Sequence, residues 1–175
     1  MSAFALLGAC GGGGGETPSP GSVVELGLRS SDFEDGTRLW VELTCDGDGR
    51  SPALAWRASR SADSYVVTMT DPDAEDFVHW VVWRIDGHFD GFESNGIPPG
   101  ATEGTNDFGD RGYGAPCPPE GDEPHRYVIT LYEIEEQGGQ RITEVAPGSS
   151  LTEVLDAVAC CIKGKDTITG TYERP

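Results

Sequence analysis

Two stretches of the chain, residues 65–70 (YVVTMT) and 77–85 (FVHWVVWRI), carry apolar side chains on both faces, with DPDAED at 71–76 between them. A half-exposed strand alternates apolar and polar residues, so runs apolar on both faces read as central strands of a covered sheet. Residues 126–134 (RYVITLYEI) read as a further strand. Residues 37–43 (TRLWVEL) alternate, with Leu39, Val41 and Leu43 on one face, as a half-buried strand does. Residues 46–52 and 137–140 are turn clusters. One helix is expected: Ser150 caps it, Glu153 returns the bond, and Leu151, Val154, Leu155, Val158 and Ile162 share a face. Gly164 ends that helix, and residues 166–172 read as a closing strand. Long strands, a late helix and no regular strand–helix alternation predict a mainly antiparallel β fold with minor helix.

In 175 residues one domain with a full core is expected, and 25 glycines and 12 prolines explain the low apolar fraction of 37%. The net charge of −18 opposes attraction to nucleic acid or to an anionic membrane surface. Any anionic ligand must therefore be held by local donors. Residues 1–10 read as a lipoprotein export signal, with Leu7, Gly8, Ala9 and Cys10 resembling a lipobox whose cysteine is lipidated. Residues 11–22, rich in Gly, Pro and Ser, form a linker. The domain then runs over 23–175. This places the protein outside the cytoplasm, in the periplasm or on the cell surface, touching the membrane only through its N-terminal lipid.

Cys45, Cys117, Cys160 and Cys161 remain, and four thiols allow three pairings. Cys45 and Cys117 sit in turn-rich loops that could meet, whereas a ring between adjacent Cys160 and Cys161 is strained. No CxxC pair suggests zinc.

Three signals carry possible chemistry: the carboxylates Asp71 and Asp73 around a proline, His79 within an apolar strand on the face of Val81 and Trp83, and His125 after a Gly/Pro-rich loop. A β fold can gather them at one end of a sheet. Protonated imidazoles would hold phosphate or carboxylate, with an aspartate keeping them charged. Gly109, Gly112 and Gly114 would let backbone amides form an anion nest, Pro116, Pro118 and Pro119 would stiffen the wall, and Tyr113 would add a hydroxyl.

Residues 44–56 (TCDGDGRSPALAW), 71–74 (DPDA), His79 with Trp80, 104–109 (GTNDFG), 112–119 (GYGAPCPP) and 125–127 (HRY) together resemble the phosphatidylethanolamine-binding protein family, most of all its bacterial branch of Raf-kinase-inhibitor-like proteins. The resemblance runs from about residue 23 to Tyr172. It implies a large antiparallel sheet packed on a smaller one, with a shallow anion pocket at one end. By motif position Asp71, His79, Tyr113, Pro119 and His125 match pocket residues, and Tyr127 lies near them. Three positions depart from the pattern. Ala115 replaces a glycine, Glu75 replaces a proline and adds negative charge near the site, and Cys161 stands where a histidine is common.

The expected function is non-enzymatic binding of a small anionic group, such as phosphate or phosphoethanolamine, with no cofactor. Inhibition of a protease, or of a kinase, through the pocket rim is the second reading. A hydrolase is the third, weakened by the lack of a Gly-x-Ser-x-Gly elbow, with His79, His125 and an aspartate as its only metal-site candidates.

Overall fold

The computed structural model describes residues 26–136 and 144–174. The expected signal at 1–10 with Cys10, the linker at 11–22 and the turn at 137–140 lie outside them. In chain order the elements are β1 (Arg29–Ser30), a 3₁₀ turn (Val41–Leu43), β2 (Leu54–Ala55), β3 (Ser64–Asp71), a 3₁₀ turn (Pro72–Ala74), β4 (Phe77–Asp86), β5 (Gly91–Phe92), β6 (Thr102–Glu103), β7 (His125–Ile134), α1 (Leu151–Val158), a 3₁₀ turn (Ala159–Cys161) and β8 (Ile162–Tyr172). Their antiparallel pairings make a five-stranded sheet, β6-β4-β3-β7-β8, and a three-stranded one, β1-β2-β5.

The two-sided apolar runs are explained by two cores. Tyr65, Val67 and Met69 of β3 join Trp80, Val82 and Ile85 of β4 in a core that also takes in Leu54 and Trp56 near the small sheet. Val66, Val81 and Trp83 belong to the opposite core, against Val154 and Val158 of α1. Burial of each such side chain contributes about 1.5–3 kcal/mol. An eight-residue helix is unstable alone, so this contact holds α1 in place. Its capping box is formed, Ser150 Oγ accepting from the Glu153 N–H while the Glu153 carboxylate accepts from the Ser150 N–H.

Several expectations are corrected. Residues 37–43 are not a strand throughout: Leu39 donates its N–H to the Thr171 carbonyl, and the chain then coils into the Val41–Leu43 turn. The turn rotates Val41 outward, 45% exposed, while Leu39 and Leu43 stay buried. The α1 helix stops at Val158, and Gly164 lies within β8 opposite Glu133. Ile162 therefore opens a strand and does not continue a helical face, because a 3₁₀ turn at Ala159–Cys161 redirects the chain.

His79 changes sides. Val78 pairs with Thr70 and Trp80 with Met69, so β4 spends one residue more than β3 across this step, and His79 is the extra residue of a bulge. Simple alternation would put it with Val81 and Trp83. The bulge instead sets its ring edge-on to Tyr127, which belongs to the core beside the small sheet.

Cys45 and Cys117 are joined by a disulfide across 72 residues of sequence. It ties the proline-rich segment that follows Gly114 to the turn that follows Leu43. Replacing both cysteines by alanine is expected to lower the free energy of unfolding by about 2–4 kcal/mol. Urea denaturation of the two proteins measures this directly, and equal stabilities would show that the crosslink closes nothing the fold does not already hold.

Candidate functional site

The β3–β4 corner is built by Asp71. Its Oδ1 accepts from the Asp73 N–H at 2.9 Å and so caps the Pro72–Ala74 turn. Glu75 and Asp76 then take left-handed conformations, φ 56° and 60°, before β4 begins. Proline is locked near −65°, so the Glu75 that departs from the family pattern occupies a conformation proline cannot adopt.

The other carboxylate oxygen of Asp71, Oδ2, accepts from His125 Nδ1 at 2.7 Å, with both side chains largely buried. Asp73 points elsewhere. It takes the Arg126 backbone N–H, Nε and Nη2 at 2.8, 3.0 and 2.8 Å, a fork that anchors the start of β7 and orients His125 beside it. This fork draws the Asp73 pKa down to about 2.

His79 is buried, its Nδ1 2.8 Å from the Gly114 carbonyl. Burial pushes its pKa below the usual imidazole range, against the Gly114 bond and the fields of Asp71 and Asp107. Its ring packs against Phe77, Phe108 and Tyr127 at centroid distances of 5.2, 5.5 and 5.2 Å.

These groups surround a cavity of about 170 Å³ at one end of the large sheet, where β3 ends and β4 and β7 begin. Of the residues expected at the site, Asp71, His79, Pro119, His125 and Tyr127 line it. Ala74, Phe77, Phe108, Cys117 and Pro118 complete the wall. The two phenylalanines were not singled out from sequence, although Phe108, an exposed aromatic inside a turn-rich segment, is the kind of residue that signals a rim. A larger depression of about 630 Å³ lies beside the small sheet, with Arg29, Asp90 and Glu93 among its walls. It brings no imidazole to a buried carboxylate, and the smaller cavity is the chemical one.

Tyr113 and Asp73 are not brought to that cavity. The Tyr113 hydroxyl donates to the Leu43 carbonyl at 2.9 Å and its ring packs on Trp80, while burial pushes the phenol pKa far up. The anion nest is not formed either. The amides of Gly109, Gly112 and Gly114 donate to the carbonyls of Asn106, Gly104 and His79: the first two bonds close the loop on itself, the third docks it on β4, and all three donors are used. Gly114 is needed for another reason: a Cβ there would lie 2.5 Å from the Phe108 ring. The loop is a wall that positions Phe108 and holds His79, and the polar work falls to side chains.

The Asp73–Arg126 fork predicts a pH effect whose sign follows from the lowered pKa. A depressed carboxylate adds stability above its unfolded pKa of about 3.9, and this is lost as pH falls through about 2. In Arg126→Gln the Asp73 pKa should rise toward the ordinary value, read by carboxyl-carbon NMR titration. An unmoved Asp73 would show that Arg126 is not what lowers it.

Comparison with known proteins agrees with this architecture. The sequence profile of the family described as phosphatidylethanolamine-binding protein matches residues 29–173. The chain is 34% identical over 157 residues to the UPF0098 protein of Methanothermobacter thermautotrophicus, covering 85% of this chain and 99% of that one. It is 31% identical over 186 residues to a Mycobacterium tuberculosis protein that carries the name lipoprotein LppC, covering 95% of this chain and 90% of that one. Among solved structures, Escherichia coli YbcL, described as a member of the mammalian PEBP family, superimposes with a TM-score of 0.76 at 27% identity, covering 85% of this chain and 98% of that one. With its large and small sheets, its corner aspartate and its two pocket histidines, the chain belongs to the phosphatidylethanolamine-binding protein family.

Proposed function

We propose that the protein is a non-enzymatic receptor for a small anionic group, phosphate or a phosphorylated head group, held outside the cytoplasm by an N-terminal lipid on Cys10. The observation that carries this reading is the convergence of the Asp71–His125 pair and the buried His79 on one cavity of about 170 Å³. That volume suits a head group and falls below the roughly 300 Å³ at which pockets begin to enclose drug-sized molecules. The walls contribute no serine or threonine, and Cys117 is tied up in its disulfide, so no serine, threonine or free cysteine nucleophile stands at the imidazoles.

When protonated, His125 donates Nδ1–H to Asp71 and offers Nε2–H to a ligand. The Asp122 carboxylate lies 3.9 Å from that nitrogen and competes with the ligand for it. The disulfide and the lipoprotein name of one relative support an oxidising location. Among the described residues no helix is long and apolar enough to cross a membrane.

A second reading, inhibition of a protease through the pocket rim, is favoured by Phe108, which is 50% exposed beside the cavity. Phe108→Asp would abolish such inhibition in a peptidase assay while leaving phosphate binding measurable. Inhibition unaffected by that change would remove the rim from consideration.

Titration calorimetry with inorganic phosphate tests the main reading. Binding is expected to be tighter at pH 5.5 than at pH 8, since an imidazolium donates from both ring nitrogens. His125→Asn should weaken binding by about ten-fold or more by removing a charge-assisted bond, and Asp122→Asn should strengthen it several-fold. Absence of binding at pH 5.5, or wild-type affinity in His125→Asn, would sink the proposal.

A further inference from the structure

The two imidazoles of the cavity are not equivalent. His79 Nδ1 faces the Gly114 carbonyl at 2.8 Å, and a carbonyl only accepts, so Nδ1 carries a hydrogen. Among the described residues no donor or acceptor meets Nε2, which in the neutral ring presents a lone pair. A flip that exchanged the nitrogens would break the Gly114 bond and disturb the packing against Phe77, Phe108 and Tyr127. His125 is the opposite case. Its Nδ1 is spent on Asp71, and as an imidazolium it presents Nε2–H.

We infer that the cavity pairs one fixed acceptor, His79 Nε2, with one donor, His125 Nε2–H, and so selects an oxyanion that keeps one proton: the monoanion of a phosphomonoester over a phosphodiester of the same charge. This rests on the anion-binding reading above and specifies its ligand. The P–OH of the monoester donates to His79 Nε2, and a P–O⁻ oxygen accepts from His125. A diester has no P–OH, and one of its oxygens would set a lone pair against the lone pair of His79. Leaving a buried acceptor unsatisfied in this way costs enough to weaken binding by about ten-fold or more.

The surroundings favour the neutral form of His79. Its burial opposes protonation and the charge on His125 adds to that effect, while Asp71 and Asp107 work against both. Around His125 stand Asp71, Asp122 at the rim and the Asp73–Arg126 pair. On sufficient acidification His79 gains its proton, both rings donate, and the discrimination disappears.

The test uses methyl phosphate and dimethyl phosphate as probes in calorimetry at about pH 5.5, where both carry close to one negative charge because the second phosphate pKa is about 6. Methyl phosphate is expected to bind about ten-fold or more tightly, and in His79→Gln, whose amide can donate, the ratio should fall toward one. Equal affinities in the wild-type protein would overturn this inference and leave anion binding standing. Binding of neither ester, nor of inorganic phosphate, would overturn both. Should His79→Gln fail to fold, ¹⁵N NMR of the wild-type imidazoles decides independently. At pH 7 His79 is expected to show a protonated Nδ1 and a bare Nε2, and a protonated Nε2 would end the proposal.

Discussion

The geometry of the site depends on the side chain of Asp71. One oxygen closes the turn that ends β3, and the other holds the imidazole that begins β7. The carboxylate is 4% exposed, so few waters compete for its lone pairs and both bonds act in a low local dielectric. Two strands that are neighbours in the sheet are thereby also locked at their ends, and the cavity forms where the lock sits. Asp73 reinforces it from outside by gripping Arg126, the residue next to His125. The Asp-Pro-Asp corner thus works as a brace: one carboxylate faces the site, and the other fixes the backbone that presents it.

The loop from Gly104 to Pro119 has a different role from the one its composition suggests. Glycine-rich segments before phosphate sites commonly offer free amides. Here the amides of Gly104, Asp107 and Gly114 dock the loop along β4 instead, and Asn106 organises its interior by donating to the Gly112 carbonyl and accepting from the amides of Phe108 and Asp110. This docking, together with the disulfide at Cys117, makes the loop a rigid wall despite its irregular backbone. A site in which side chains supply the polar contacts is more sensitive to pH than a nest of amides would be.

The global charge works against an anionic ligand. A net charge of −18 surrounds a cavity in which the His125 imidazole faces two carboxylates. Beyond a Debye length of about 8 Å the exposed charges are largely screened, so contacts within the cavity dominate. The acidic surface limits which polyanions, nucleic acid among them, approach at all.

Much of this was legible beforehand. The two-sided apolar strands, the capping box at Ser150 and the gathering of Asp71, His79 and His125 followed from residue pattern and family motifs, because covered strands and helix starts are specified by neighbours in the sequence. Three features were not. The side on which His79 emerges depends on a bulge that only pairing with β3 defines. The fate of the Tyr113 hydroxyl depends on Leu43, 70 residues away. The fate of the glycine amides depends on bonds made inside the folded loop and, at Gly114, on docking against β4. Residue type and pattern set which side chains could be buried and which chemistry they could bring. Folding set which nitrogen of each imidazole is spent on the Gly114 carbonyl or on Asp71, because a hydrogen bond is satisfied by whatever group the tertiary structure sets beside it.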